Sequence, residues 1–278
     1  MLAWLTGCAT SWPGAQPGEH PGHQDRTRRV RGRRPVVAVY VGTSGWSYDH
    51  WEGVLYPGGL PGRERLRHYS QRFGTVELNS SFYRWPRQAS FTGWQRRLPH
   101  GFQFSVKAPR GLTHAKRLYA PEVWVDRMTS CWHELGDKRA ALLVQLAPGH
   151  ARDDARLAYF LQLLPSWMRV AVEFRHSSWH EEEIFSLLER HQVAYCVMSG
   201  ANLPCVLRAT APFVYARLHG PDREHLYGGA YSDADLSWWA DRVREWAGAG
   251  KDVFVYFNND GCGHAVRNAE TLRRLLGC

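Results

Sequence analysis

The 278-residue sequence has no apolar run approaching the roughly 20 residues that a membrane-spanning helix needs, so no membrane partner is expected. It also lacks C-x-x-C spacing, an H-E-x-x-H metal motif and any internal repeat. Its six cysteines, at positions 8, 131, 196, 205, 262 and 278, suit neither a zinc knuckle nor a disulfide framework. Without a credible signal peptide they read as the reduced thiols of a cytoplasmic protein. Leu5-Thr-Gly-Cys8 has the look of a lipoprotein cleavage box. No basic residue precedes it, however, and the apolar stretch is too short for a secretory segment. The arginines that follow run straight into a strand-like segment, which argues against twin-arginine export.

What the chain has in quantity is aromatic area. Thirteen Trp, twelve Tyr and eleven Phe beside 22% charged residues mark a globular protein rather than a disordered one. The formal charge of +9 suggests nucleic acid until it is divided along the chain. Residues 1–35 hold six Arg against Glu19 and Asp25, a net +4 that leaves +5 for the rest. Residues 1–35 therefore read as a disordered basic leader, and residues 36–278 as one domain. A basic arm of that kind can hold phosphates by counterion release.

From residue 36 onward, short β-branched or aromatic runs alternate with amphipathic helix-length segments. The strands are expected at residues 36–41, 75–80, 102–107, 141–146, 169–174, 194–198, 213–218 and 252–257. This is the βα pattern of a parallel sheet, and eight strands in a chain of this length predict a single-domain TIM-barrel-like (β/α)8 fold. Pro121 begins one helix and Ser232-Asp-Ala-Asp235 caps another. No helix is legible between strands six and seven (residues 199–212), so either that crossover is degenerate or an element is missing.

Side chains alternate along a strand with period two. On Arg169-Val-Ala-Val-Glu-Phe-Arg-His176, an inward Glu173 takes Ala171 and Arg175 with it, with His176 nearby. The same count sends Glu77 and Asn79, Ser105 and Lys107, Leu143 and Gln145, Tyr215, Arg217 and His219, and Tyr256, Asn258 and Asp260 inward. Six strands turn polar at one end, the C-terminal face where barrels build their sites. Glu173, helped by Glu77 or His219, is the candidate for acid-base chemistry. Lys107, Arg175 and Arg217 are the candidate anion binders, and His176, Asn79, Tyr231, Asn258, Asn259 and Asp260 are grouped with them. The alternative is that each carboxylate only neutralises a cation.

His114, His176 and His219 with Glu77, Glu173 and Asp260 would also suit a divalent metal, although no tight ligand motif is present. The cofactor therefore stays open. Phe257-Asn-Asn-Asp-Gly-Cys-Gly-His-Ala265 leads into the last helix, whose start would offer backbone N–H groups to an anion. The same sequence also suits an ordinary turn. Tyr227-Gly-Gly-Ala-Tyr231 would either stack on a ligand or pack on itself.

Gly42-Thr-Ser-Gly-Trp-Ser-Tyr48, Thr75-Val-Glu-Leu-Asn79 with Phe82-Tyr-Arg84, and Phe104-Ser-Val-Lys-Ala-Pro-Arg110 with Thr113-His114 open an ordered series of motifs. Val172-Glu-Phe-Arg-His176, Arg217-Leu-His-Gly220 and Tyr256-Phe-Asn-Asn-Asp260 continue it. Together they resemble the YecE-like family, catalogued as domain of unknown function 72, from residue 38 to the end. One departure is Ala147 in Gln145-Leu-Ala-Pro148, where the family has a second proline. The resemblance implies a TIM-barrel-like fold and supplies no activity. The expectation is an enzyme, a hydrolase or an isomerase or lyase, acting on an anionic, phosphate-bearing or nucleotide-like substrate. Its rivals are a non-catalytic binder of nucleic acid or a metabolite, and a purely structural charge network.

Overall fold

A computed structural model describes residues 37–278. The basic leader, Cys8 and Val36 lie outside the described residues. The described chain closes into a barrel of eight parallel strands in sequential order, β1-β2-β3-β4-β5-β6-β7-β8. The strands are β1 Val39–Ser44, β2 Thr75–Leu78, β3 Gln103–Lys107, β4 Arg139–Gln145, β5 Val170–Glu173, β6 Ala194–Ser199, β7 Phe213–Leu218 and β8 Asp252–Phe257. Seven of them fall where the sequence places them, within two residues at either end. β1 is shifted by three, beginning at Val39 and running on through Thr43 and Ser44. Its pairing with β8 from Val39↔Val253 to Thr43↔Phe257 closes the ring.

Seven helices cover the outside: α1 Gly62–Tyr69, α2 Gln88–Arg97, α3 Glu122–His133, α4 Asp154–Gln162, α5 Glu182–Arg190, α6 Asp233–Gly248 and α7 His264–Leu276. Their ends follow local chemistry. Pro121 caps α3, and Ser232 and Asp235 form a reciprocal capping box on α6. α5 carries Glu182 and Glu183 in its first turn and Arg190 in its last, each charge matched to the helix dipole. α7 stops at Gly277 in the left-handed conformation.

No helix separates β6 from β7 among the described residues, so the crossover is degenerate and no strand is lost. Thr210 anchors the extended segment instead, accepting from Tyr195 N and donating to Val193 O at 2.7 Å each. β6 and β7 still pair directly from Cys196↔Tyr215 to Ser199↔Leu218. No helix among the described residues is long and apolar enough to cross a membrane.

Alternation divides the core in two. Val41, Val76, Phe104, Val144, Val172 and their equivalents face the helices, while small or aromatic side chains fill the barrel. The interior is layered. At its N-terminal end Tyr40 stacks on Phe254 with 5.1 Å between centroids, and Phe213 meets Phe254 edge-on. Above them Tyr215 and Tyr256 lie 5.1 Å apart. The Tyr256 hydroxyl is shared with Thr75 Oγ1 at 2.7 Å and Ser105 Oγ at 2.9 Å, and the Tyr215 hydroxyl donates to Glu77 Oε2 at 2.6 Å. These hydroxyls turn an apolar floor into a polar platform for charge.

Where β1 passes β2 the two backbones come close, and only glycine fits. A Cβ on Gly42 would lie 2.3 Å from Thr75 O and 3.0 Å from the Tyr69 hydroxyl oxygen, which itself accepts from Thr43 N and donates to Thr75 O. Gly42→Ala is expected to destabilise the fold by about 1–3 kcal/mol, a fall in Tm of roughly 2–12 °C for a domain of this size. A melting curve superimposable on the parent's would show that β1 and β2 are not held this tightly.

Candidate functional site

At the C-terminal end of the barrel, β2, β5 and β7 each deliver one fully buried charge. Arg217 lies between two carboxylates. Its Nη2 and Nε reach Glu77 Oε1 and Oε2 at 2.8 and 3.0 Å, and its Nη1 reaches Glu173 Oε2 at 2.6 Å. Ser44 Oγ donates to Glu77 Oε1 and accepts from Arg217 Nη2 at 3.2 Å, while Asn79 Nδ2 donates to Ser44 Oγ. Arg175 then donates through Nε to the second oxygen of Glu173. Both carboxylates are therefore saturated by donors.

The electrostatics follow from this pairing. Burial alone would raise the Glu173 pKa, but Arg175 and then Arg217 override it and hold the carboxylate well below its ordinary range. Its folded pKa is depressed, so its contribution to stability is complete above the unfolded value and is lost as the pH falls toward the folded one. Burial works against the charge on Arg217 too, yet Glu173 and Glu77 keep it protonated. The Cys196 thiol, 3.8 Å from Glu173 Oε2, is pushed well up by burial and then by that carboxylate. It remains an inert thiol.

His219 is buried, and desolvation followed by Arg217 drives its pKa well down, so the ring is neutral. Arg175 Nη2 lies 3.2 Å from its Nε2 and the Asn258 amide lies 3.1 Å from its Nδ1. With Arg175 donating to Nε2, the single ring proton sits on Nδ1. Asn258 then meets it with its oxygen, the two ends of a carboxamide being alike in shape. Tyr227 covers the ring edge-on at 5.4 Å.

Lys107 differs from the other charges. It ends β3 just after a shift of register between Phe104 and Val106, the kind of irregularity that re-aims a side chain beside a site. Among the described residues no carboxylate pairs with its ammonium; it stands 4.3 Å from the centroid of the Phe82 ring. Burial, then Arg217, lowers its pKa to about 8. The chain next makes a π-helical turn, Gly111–Ala115, that carries His114 to 4.8 Å from Phe82. Burial, then Lys107, lowers the His114 pKa to about 4. Two amide oxygens at the same end, Asn79 Oδ1 and Gln145 Oε1, are buried with no partner among the described residues. They would accept hydrogen bonds from a ligand.

The remaining expected residues lie apart from this cluster. Asn259 donates to Gly229 O at 2.9 Å and Asn268 Oδ1 at 3.0 Å, and the same Asn268 oxygen accepts from Tyr231 N. The Tyr231 hydroxyl donates to Ser199 Oγ and accepts from Gly220 N. These contacts tie the β7 and β8 loops together. His176 Nδ1 accepts from Ser178 N, capping a short turn. Asp260 lies beside His50, 3.9 Å from its Nε2, with its pKa raised by burial. The six expected metal ligands do not converge, because Arg217 stands between the two glutamates and His176 and Asp260 serve other partners. Among the described residues no three His, Cys, Asp or Glu side chains form a metal-holding group.

Sequence reasoning missed Ser44, Phe82 and the place of Tyr215 in the network. Counting in twos from Tyr40 through Gly42 reaches Ser44, had the first strand not been ended at Val41. A cavity of about 540 Å³ at the opposite, N-terminal face is larger than the hollows beside this site, but its Arg169 and Asp252 already pair at 3.2 Å.

A family model described as "Protein of unknown function DUF72" matches residues 40–278. The UPF0759 protein YunF of Bacillus subtilis (strain 168) is 29% identical over 276 residues, covering 86% of this chain and 94% of its own. The UPF0759 protein YecE of Escherichia coli (strain K12) is 26% identical over 139 residues, 50% of this chain and 48% of its own. A solved DUF72 family protein from Thermotoga maritima MSB8 is 31% identical and superposes with a TM-score of 0.78 over 87% of this chain and 100% of its own. Another from Enterococcus faecalis V583, 20% identical, has a TM-score of 0.74 over 86% and 96% and supports the fold alone.

Removing one charge from the buried network leaves the others uncompensated. Glu77→Gln is expected to cost about 3–5 kcal/mol, a Tm lower by roughly 6–20 °C. A change below about 1 kcal/mol in denaturant unfolding would mean that water already reaches these groups.

Proposed function

The chain belongs to the DUF72 family, and from that premise we propose that it is an enzyme binding an anionic, phosphate-bearing substrate at the C-terminal mouth of the barrel, with Lys107 moving the proton. One observation carries this reading. Among the described residues every buried charge at the mouth has an oppositely charged partner except Lys107, whose ammonium faces the Phe82 ring and whose pKa is lowered to about 8. Lys107, Arg175 and Arg217 against Glu77 and Glu173 leave one positive charge over. A bound anion would neutralise it.

The roles divide by what each group has left to offer. Glu173 was the candidate proton carrier on sequence grounds, but a carboxylate saturated by two arginines and held ionised is a poor base. In our reading Glu173 and Glu77 instead fix Arg175 and Arg217. Arg175, steadied by Glu173 and His219, lies beside the anion and would steady charge developing in the transition state. Lys107 has a proton affinity near the working pH, the property that acid-base catalysis needs. The unpartnered oxygens of Asn79 and Gln145 favour a substrate that also carries hydroxyl or amino donors. Sugar phosphates and nucleotides meet both demands. The same mouth would serve a binding protein without turnover, and the assay for product separates the two.

Thermal shifts of the whole protein against phosphate, sugar phosphates and nucleotides give the first test, since a ligand at 100 times its Kd adds about 2.7 kcal/mol. Lys107→Met is expected to lose about 1.5–3 kcal/mol of anion affinity, roughly 10- to 150-fold. The ammonium is protonated below about pH 8 and neutral above it, so parent affinity should fall as pH rises through that value. The variant should show no such fall. Catalysis by Lys107 further requires that a turned-over ligand be processed roughly 10²- to 10⁴-fold more slowly by the variant. Equal affinities and pH profiles in the two proteins would sink the proposal, and binding without product would leave the binder.

A further inference from the structure

Phe82 has a second side. The ring that meets Lys107 also lines a cleft of about 450 Å³, outside the barrel mouth, between the segment after β2, the segment after β3 and the first turns of α3. Four guanidiniums border the cleft, those of Arg84, Arg87, Arg110 and Arg127, and all four residues are exposed. No carboxylate lines it, and among the described residues none of the four takes part in an ion pair. Glu122, at the start of α3, is engaged by the Tyr159 hydroxyl. This is a cluster of unpaired positive charge around one hollow.

The lining is rich in aromatic residues. Tyr83 is 81% exposed, a large ring left in water, and Trp124 packs so close to Gly111 that a Cβ there would come within 2.5 Å of its ring. Trp85 is only 7% exposed, and its indole Nε1 has no hydrogen-bond partner among the described residues. Charged donors and aromatic side chains in a hollow of this size fit a ligand that is rich in acceptors, anionic and planar. Phe82 borders both the cleft and the Lys107 ammonium, so a molecule seated among the arginines would lie one ring away from Lys107.

We propose that this cleft is a second subsite for the substrate handled at Lys107, and that the substrate class is a nucleoside polyphosphate. A phosphate would lie at the mouth, with the ring and the rest of the charge held among Trp124, Tyr83 and the arginines. This rests on the reading of the mouth given above, and the two are separable. The arginines make no hydrogen bonds that define the fold, so Arg84→Ser with Arg127→Ser should melt with the parent.

Calorimetric titration of the whole protein with ADP, inorganic phosphate and a ten-nucleotide single strand tests it. The parent is expected to bind ADP at least tenfold more tightly than phosphate, and the double variant to reduce that ratio at least tenfold. A ratio unchanged in the double variant, or no preference for ADP in the parent, overturns the proposal. So does binding of the oligonucleotide with none of ADP, which would make the cleft a nucleic-acid surface. Lys107→Met reports on the mouth alone. If ADP binding depends on Arg84 and Arg127 but not on Lys107, the cleft stands as a nucleotide site and the mouth reading fails.

Discussion

The guanidinium of Arg217, enclosed between Glu77 and Glu173 inside a closed ring of strands, is the constraint around which the upper half of the barrel is arranged. A charge with no access to water is tolerable only when geometry supplies what solvent no longer does. The fork of Arg217 meets Glu77 two-pronged and Glu173 with its third nitrogen, and Ser44 and the Tyr215 hydroxyl satisfy what remains. Three strands that are not neighbours in the sheet are thereby fixed relative to one another. The layered interior accounts for the buried charges lying at one end, since Phe213 and Phe254 offer no polar atom and the Arg169–Asp252 pair at the other end is partly exposed.

Such a network is a poor source of stability and a good source of position. Its product is the placement of Arg175, which reaches the mouth because Glu173 holds its Nε and His219 faces its Nη2. Lys107 stands against this background as the exception, desolvated, facing an aromatic ring and matched to no acid. On the proposed reading, this contrast between saturated and unsaturated charge is what separates scaffold from reactive group.

Most of the fold was legible because barrel strands are written in period two, and parallel strands buried on both faces are short β-branched runs. The polar ends of β2, β3, β5 and β7 followed from the same count, and with them Glu77, Lys107, Glu173, Arg175, Arg217 and His219. What the sequence could not rank was the division of labour among them, because saturation of Glu173 depends on how far strands five and seven stand from each other. Ser44 escaped because the first strand was ended at Val41, three residues before it. Tyr231 and Asn259 were grouped with the site by their place in a loop. In three dimensions Asn268, on the helix that follows, draws both into holding that loop.

The aromatic layer at the N-terminal end has a kinetic meaning. Tyr40, Phe213 and Phe254 fill the barrel from below, so on the proposed reading a ligand at the mouth would have one side from which to arrive and leave. A departing molecule would then have to clear the rim near Phe82 and Tyr227 before the next could bind. Traffic through a dead end is sequential. Anything retained at the rim would therefore compete with what is trying to come in, so the residues there would govern the pace at which the mouth empties as much as its selectivity.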